Sequence, residues 1–228
     1  MLAGGNLDGE DQDELTEVVE LVTTDSTPSF GQLPSARPGA LGAMFGNDPI
    51  LCGGGDANDG AALDSCISFK NSQWSQSYSM NQKRSEAAGV QINSTTFWIL
   101  GGMTDSDVTD STEFIIQGQH NGVPGPKLPY ILRFMCVVKR SEEEIWIIGG
   151  GSGAIRNDVW IYNPQNGFAR NRGPSLNTKR RYHSCSTMRN GEKTLIVVAG
   201  GDDGHNNLKS VEIFDPSGYS WHSGNKFP

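Results

Sequence analysis

Short apolar runs recur along the chain, and each ends in a pair of glycines. The runs are Met1-Leu2-Ala3, Pro49-Ile50-Leu51-Cys52, Phe97-Trp98-Ile99-Leu100, Ile145-Trp146-Ile147-Ile148 and Leu195-Ile196-Val197-Val198-Ala199. They are rich in β-branched and aromatic residues and too short for helices, so they predict buried strands. The doublets are Gly4-Gly5, Gly53-Gly54, Gly101-Gly102, Gly149-Gly150 and Gly200-Gly201, spaced 49, 48, 48 and 51 residues apart. Paired glycines open backbone conformations closed to other residues, so the chain can turn sharply and pack closely. After each doublet comes an alternating segment: Thr16–Leu21, Ser65–Phe69, Thr112–Ile116, Asp158–Tyr162 and Val211–Phe214. Period-two patterning predicts strands with one buried face. Turn residues follow, as in Asn163-Pro164-Gln165-Asn166-Gly167 and Asp215-Pro216-Ser217-Gly218. An aromatic comes next (Phe30, Trp74, Phe168, Trp221), except in the third repeat, which has Val123-Pro124-Gly125-Pro126. Arginine then leads a small-residue segment predicted as a further strand: Arg37 to Phe45, Arg84 to Ile92 and Arg180 to Met188.

This pattern resembles the kelch repeat, in which an Arg-led inner strand precedes a hydrophobic strand ending in Gly-Gly, a strand ending near Tyr-Asp-Pro, and an outer strand with Trp. The clearest copy holds Gly149-Gly150, Asp158-Val159-Trp160-Ile161-Tyr162-Asn163-Pro164 and Arg180-Arg181-Tyr182-His183. A period of ~40–45 ending in Trp-Asp would mark WD40 repeats instead, and that dipeptide is absent. The resemblance implies an all-β, kelch-type β-propeller with one four-stranded blade per repeat. The expected layout is one partial propeller over residues 1–228, with blades at about 1–33 (incomplete), 34–78, 79–128, 129–173 and 174–228. Nothing supplies the first blade's missing inner strand, so the expectation is a fragment with an unclosed ring.

Composition sharpens this picture. Glycine contributes 29 of 228 residues, about twice the ordinary share of ~7%, with no three-residue period that would suggest collagen. No apolar run approaches the ~20 residues of a membrane helix. Eight acids (Asp8, Glu10, Asp11, Asp13, Glu14, Glu17, Glu20 and Asp25) precede the first basic residue, Arg37, and the remaining 18 acids and 18 bases cancel. An acidic start on a balanced body argues against nucleic acid as a partner, which needs clustered Lys and Arg.

Cys52 immediately precedes its Gly-Gly, and Cys66 opens the next strand. Those strands are expected to form an antiparallel hairpin that brings the two Cβ atoms near bonding distance. The alternatives are a Cys52–Cys66 disulfide or two buried thiols. Cys136 and Cys185 fall on innermost strands of adjacent blades and are expected to be inert, buried small hydrophobes. Asn93-Ser94-Thr95 is a glycosylation sequon on a predicted turn. Disulfide and sequon together favour a secreted or ectodomain setting over a cytoplasmic one.

No Gly-x-Ser-x-Gly, His-Glu-x-x-His or phosphate loop occurs. Histidines 120, 183, 205 and 222 share no motif, and His183, in Arg-x-x-His spacing after Arg180, reads as structural. The acidic run Asn6–Asp13 lacks EF-hand spacing and reads as a solvated loop. No cofactor, metal or catalysis is therefore expected. The resemblance implies a non-catalytic propeller that binds a protein or peptide through loops on one face. Arg37, Arg84, Arg180 and Arg181 are the candidate binding residues there, able to grip carboxylates. The competing role for them is to cap and bridge blades. Alternative functions are an actin-associated structural protein or part of a copper-oxidase-like propeller.

Overall fold

The computed structural model describes residues 2–3, 18–20, 29–168 and 172–224. Gly4, Gly5 and the acidic run at 6–13 lie outside them. The described residues hold twenty strands and no helix. They divide into two compact units, residues 1–130 and 131–228.

The first unit contains three antiparallel sheets. A small one joins β1 (Leu2–Ala3), β2 (Val18–Glu20) and β3 (Ser29–Gln32). The next is a four-stranded meander of β4 (Leu41–Phe45), β5 (Asp48–Cys52), β6 (Ser65–Lys70) and β7 (Gln73–Ser79). The third has the same order: β8 (Ala88–Asn93), β9 (Thr96–Leu100), β10 (Thr112–Ile116) and β11 (Val123–Pro124). β11 is only two residues long, as suits an outer strand made of Val-Pro-Gly-Pro, since proline cannot donate to a ladder.

The second unit contains β12 (Cys136–Ser141), β13 (Glu144–Ile148) and β16 (Val159–Tyr162) in one sheet. A two-stranded hairpin, β14 (Gly151–Ser152) and β15 (Ala154–Ile155), sits in the β13–β16 connection. Where a fourth strand is expected, the described residues show two isolated bridges, Asn163 with Gly167 and Trp160 with Arg172. The last sheet is a full meander: β17 (Ser184–Asn190), β18 (Lys193–Ala199), β19 (Val211–Asp215) and β20 (Ser220–Ser223). These sheets have the strand order of propeller blades.

The apolar runs at 49–52, 97–100, 145–148 and 195–199 lie on second strands, and they form the core. Ile50, Leu51, Cys52, Trp98, Ile99, Leu100, Trp146 and Ile148 are fully buried. Trp74 and Trp221, the outer-strand aromatics, are buried as well. The predicted inner strands need one correction. Each begins four residues after its arginine, at Leu41, Ala88 and Ser184, so Arg37, Arg84 and Arg180 stand in the preceding loops.

The glycine doublets explain that offset. Gly149 and Gly150 both have left-handed φ, 59° and 82°. The Gly150 amide donates to the Arg180 carbonyl of the next repeat at 2.9 Å, as the Gly54 amide does to Arg84 O at 3.0 Å. A methyl group on Gly150 would stand 2.7 Å from Arg133 O and 2.8 Å from Met135 Cβ. The doublet is thus the seat on which two arginine-bearing loops rest, and there is no room for a side chain.

The two cysteine pairs are joined. Cys52 and Cys66 face each other directly across the β5–β6 ladder, with Cα atoms 4.0 Å apart. Cys136 and Cys185 correct the expectation of inert hydrophobes. They are bonded, with Cα atoms 5.9 Å apart, and only half-buried. The reason is that β12 and β17, first strands of two different sheets, run side by side, stitched above the cysteines by the Tyr182 amide on Phe134 O at 3.1 Å. In the chain-entropy picture, closing this 49-residue separation contributes about 4 kcal/mol.

Gly150→Ala is expected to destabilise the protein by about 3 kcal/mol, combining left-handed strain with a backbone clash. Urea unfolding monitored by tryptophan fluorescence checks this, with an exposed Gly153→Ala variant as the control for left-handed strain alone.

Candidate functional site

The loop before each first strand is built to one plan. One residue turns inward, an arginine before β4, β8 and β17 and Leu132 before β12; the following residue pairs with the second–third strand connection of its own sheet, and the residue after that adopts left-handed backbone.

Arg84 is 1% exposed and Arg180 0%. Arg84 donates to Gly101 O (2.8 Å), Ser111 O (3.0 Å), Ser111 Oγ (2.7 Å) and Glu113 Oε1 (2.9 Å). Arg180 repeats the set on Gly200 O (2.7 Å), Ser210 O (3.3 Å), Ser210 Oγ (3.1 Å) and Glu212 Oε1 (2.8 Å). The carboxylates hold the same loops from the other side. Glu113 accepts from the Asn81 and Gln82 amides at 2.5 and 3.1 Å, and Glu212 from the Asn177 and Thr178 amides at 2.7 and 3.1 Å. Arg37, 6% exposed, binds Ser65 O and Ser65 Oγ at 2.9 and 2.7 Å. Ile67 takes the position of the glutamate in that sheet. Burial pushes the pKa of Arg37 and Arg84 down, and for Arg84 the bond to Glu113 works against that.

This corrects the expectation that Arg37, Arg84 and Arg180 reach a partner's carboxylate. A guanidinium buried to this depth needs its donors met inside the fold, and the groups flanking the second–third strand connection meet all but the Nε of Arg37 and of Arg180. Each side chain caps the second–third strand connection of the sheet its own loop enters. The signal missed in the sequence was Asn-x-Lys-Arg at 81–84 and 177–180, matched by Ser-x-Glu at 111–113 and 210–212.

His183 is also interior, 7% exposed. Burial, reinforced by the Arg180 charge, pushes its pKa down to about 4. Its ring lies against Gly149, so it packs under the doublet as a neutral side chain.

Arg181 differs from the other three. It is half-exposed, and its Nε and Nη2 donate to Asp202 Oδ2 at 3.1 and 2.9 Å. The Gly204 amide and Arg181 together hold the Asp202 carboxyl below its usual range. Two backbone bonds, Arg181 N to Asp202 O (3.0 Å) and Asp202 N to Arg181 O (2.9 Å), fix the loop. Arg133 makes the same pair of bonds with Gly151, at 3.2 and 2.9 Å.

The next residues are Phe134 and Tyr182, with φ of 59° and 56°. Left-handed backbone is uncommon for aromatic residues. Their rings lie 3.9 Å apart between centroids. Arg133 Cζ sits 4.6 Å from the Phe134 ring and Arg181 Cζ 5.3 Å from the Tyr182 ring, within cation–π range. Tyr182 is 58% exposed, and Ile131 beside this loop 45%. Arg133, Phe134, the 151–155 hairpin and Arg181 line a small depression next to the rings. The result is an outward-facing arginine–aromatic surface held by backbone pairs and, two residues below Phe134, by the Cys136–Cys185 bond. Sequence reasoning named Arg181 in it but not Arg133, Phe134 or Tyr182.

No group of three or more His, Cys, Asp or Glu side chains able to hold a metal occurs among the described residues. No helix among them is long and apolar enough to cross a membrane.

Residues 193–228 match the kelch motif. That stretch contains β18, β19 and β20, and the sheets before it repeat its glycine doublets and strand order. Over this stretch the chain carries a kelch motif, and the described four-stranded meanders are consistent with propeller blades. No curated protein matches it.

The buried Arg84–Glu113 pair gives a testable outcome. Removing one partner, as in Glu113→Gln, is expected to cost about 3–5 kcal/mol, and Arg84→Met with Glu113→Leu together less than the two single changes summed; chemical denaturation of the four-member cycle measures it. His183 gives a second. The unfolded chain takes up its proton below about pH 6.5, whereas the folded chain resists until about pH 4. Its contribution is therefore present above pH 6.5 and falls by about 3 kcal/mol on acidification to pH 4. His183→Gln should flatten that part of the stability–pH curve.

Proposed function

We propose that this protein is a non-catalytic module that binds a protein or peptide through the loop face carrying Arg133, Phe134, Arg181 and Tyr182. In this reading the repeats form propeller blades with the boundaries given from the sequence. The observation that carries the proposal is the exposed Tyr182 ring, packed on Phe134, with both residues in strained left-handed backbone. Strain of this kind persists only where surrounding structure enforces it, and it gathers at binding sites. Aromatic and arginine side chains are also the types that dominate binding energy at protein interfaces. The complementary partner presents a flat apolar or aromatic group, flanked by carbonyl or carboxylate oxygens that the guanidinium edges meet.

Tyr182→Asn tests this, because asparagine tolerates the left-handed conformation and the loop should keep its shape. Loss of a hot-spot side chain is expected to weaken binding about 30-fold, with the melting temperature unchanged. The measurement is surface plasmon resonance against partners captured by the native protein from its own tissue. Retention of all of them at undiminished affinity by the Tyr182→Asn and Arg181→Ala variants would overturn the assignment.

A further inference from the structure

The hairpin between β8 and β9 carries a second functional feature, unrelated to the binding face. Asn93-Ser94-Thr95 is the one Asn-x-Ser/Thr sequence in the chain, and it forms the whole tip, since β8 ends at Asn93 and β9 begins at Thr96. Chance alone would place about one such triplet in a chain of this length, so its location has to decide its meaning.

All three residues of the tip are exposed. Their backbone is nevertheless firmly held. The Asn93 carbonyl accepts from Gln91 Nε2 at 2.6 Å, the Ser94 carbonyl from the Gly46 amide at 3.3 Å, and the Thr95 carbonyl from the Gln117 amide at 2.8 Å. The Asn93 side chain is polarised within the triplet. Its Oδ1 accepts from the Thr95 amide at 2.9 Å and from Thr95 Oγ1 at 3.0 Å. No described residue occupies the Nδ2 group. A substituent on Nδ2 would therefore project into solvent, breaking no hydrogen bond and displacing no packed side chain. A sequon on a buried strand could not carry one and still fold.

The cysteines supply the second observation. All four are in disulfides and none is free. One lies within a sheet and the other joins two sheets, and both pairings require an oxidising compartment to form and persist. In eukaryotes that compartment also holds the glycosylation machinery.

We infer that Asn93 is an N-glycosylation site, modified as the chain passes through an oxidising secretory compartment. In the transfer, Asn93 Nδ2 attacks the anomeric carbon of a lipid-diphosphate-linked oligosaccharide. The N–C bond forms, the C–O bond to the diphosphate breaks, the lipid diphosphate leaves, and the amide nitrogen gives up one proton. The donor is the membrane lipid-linked oligosaccharide, and Thr95 Oγ1 orients the acceptor amide through Oδ1.

The test uses the full chain behind an added signal peptide, translated in the presence of microsomes, where transfer precedes folding and a folding defect cannot mask it. The wild-type chain should gain one glycan that peptide-N-glycosidase removes, leaving aspartate at position 93 in the peptide map. Asn93→Gln and Thr95→Ala should lose the shift, and Thr95→Ser should keep it. A wild-type chain that is translocated but unshifted overturns the inference, as does a shift that survives in Asn93→Gln. The same peptide map on protein purified from its natural source should show the conversion at Asn93, and an unmodified Asn93 peptide there would refute the assignment.

Discussion

The constraint on which the rest of the structure depends is the unmet backbone at the open end of each sheet. After its Gly-Gly the second strand leaves the ladder, and the third strand joins it only several residues later. Of the carbonyls at the two edges of this gap, those of Ser111 and Ser210 accept from the Gly101 and Gly200 amides at 3.0 and 3.1 Å, whereas those of Gly101 and Gly200 face inward with no backbone donor. A buried carbonyl left in that condition costs stability comparable to a lost hydrogen bond. One guanidinium spans the gap, since its fork of donors reaches both carbonyls, a serine hydroxyl and a carboxylate together. The glutamate that neutralises it also binds the amides three and two residues upstream of the arginine. The loop between sheets is thereby tied to the sheet it enters before that sheet's first strand begins.

Strand placement was legible in the sequence because it rests on local signals. The doublets and the alternating segments report which residues are buried and where the chain must turn, and from Gly53-Gly54 onward the described sheets follow them closely. The arginines were legible as a repeated feature but not in their role. A residue at the head of a strand with a long charged side chain looks the same in one dimension whether it points out to a ligand or in to a carbonyl. What separates the two is the partner glutamate about thirty residues later, placed opposite the residue two before the first glycine of the doublet. The Cys136–Cys185 bond was hidden for a related reason. The two cysteines sit at slightly different offsets from their doublets, so the repeat alignment does not superpose them, and only the side-by-side course of β12 and β17 brings them together.

The sheet that departs from the plan is the most informative. At the position of Arg84 and Arg180 it has Leu132, which is buried, and at the position of Glu113 and Glu212 it has Trp160. Charge and countercharge are missing together here, whereas Arg37 is buried opposite Ile67 with Ser65 O and Oγ as its partners. The loop entering β12 has lost the ionic clamp and is held by other means: the backbone pair between Arg133 and Gly151, the Tyr182 amide on Phe134 O, and the disulfide just below. The loop entering β17 keeps its buried Arg180. Phe134 and Tyr182 therefore rise from two differently anchored loops that are locked to each other covalently and by hydrogen bonds. A side chain that must present a fixed aromatic face gains most from such an arrangement, because less conformational entropy is lost when a partner docks. The exposed rings stand where the fold has exchanged its usual clamp for a cross-link, and that coincidence supports the proposal that the surface serves in recognition.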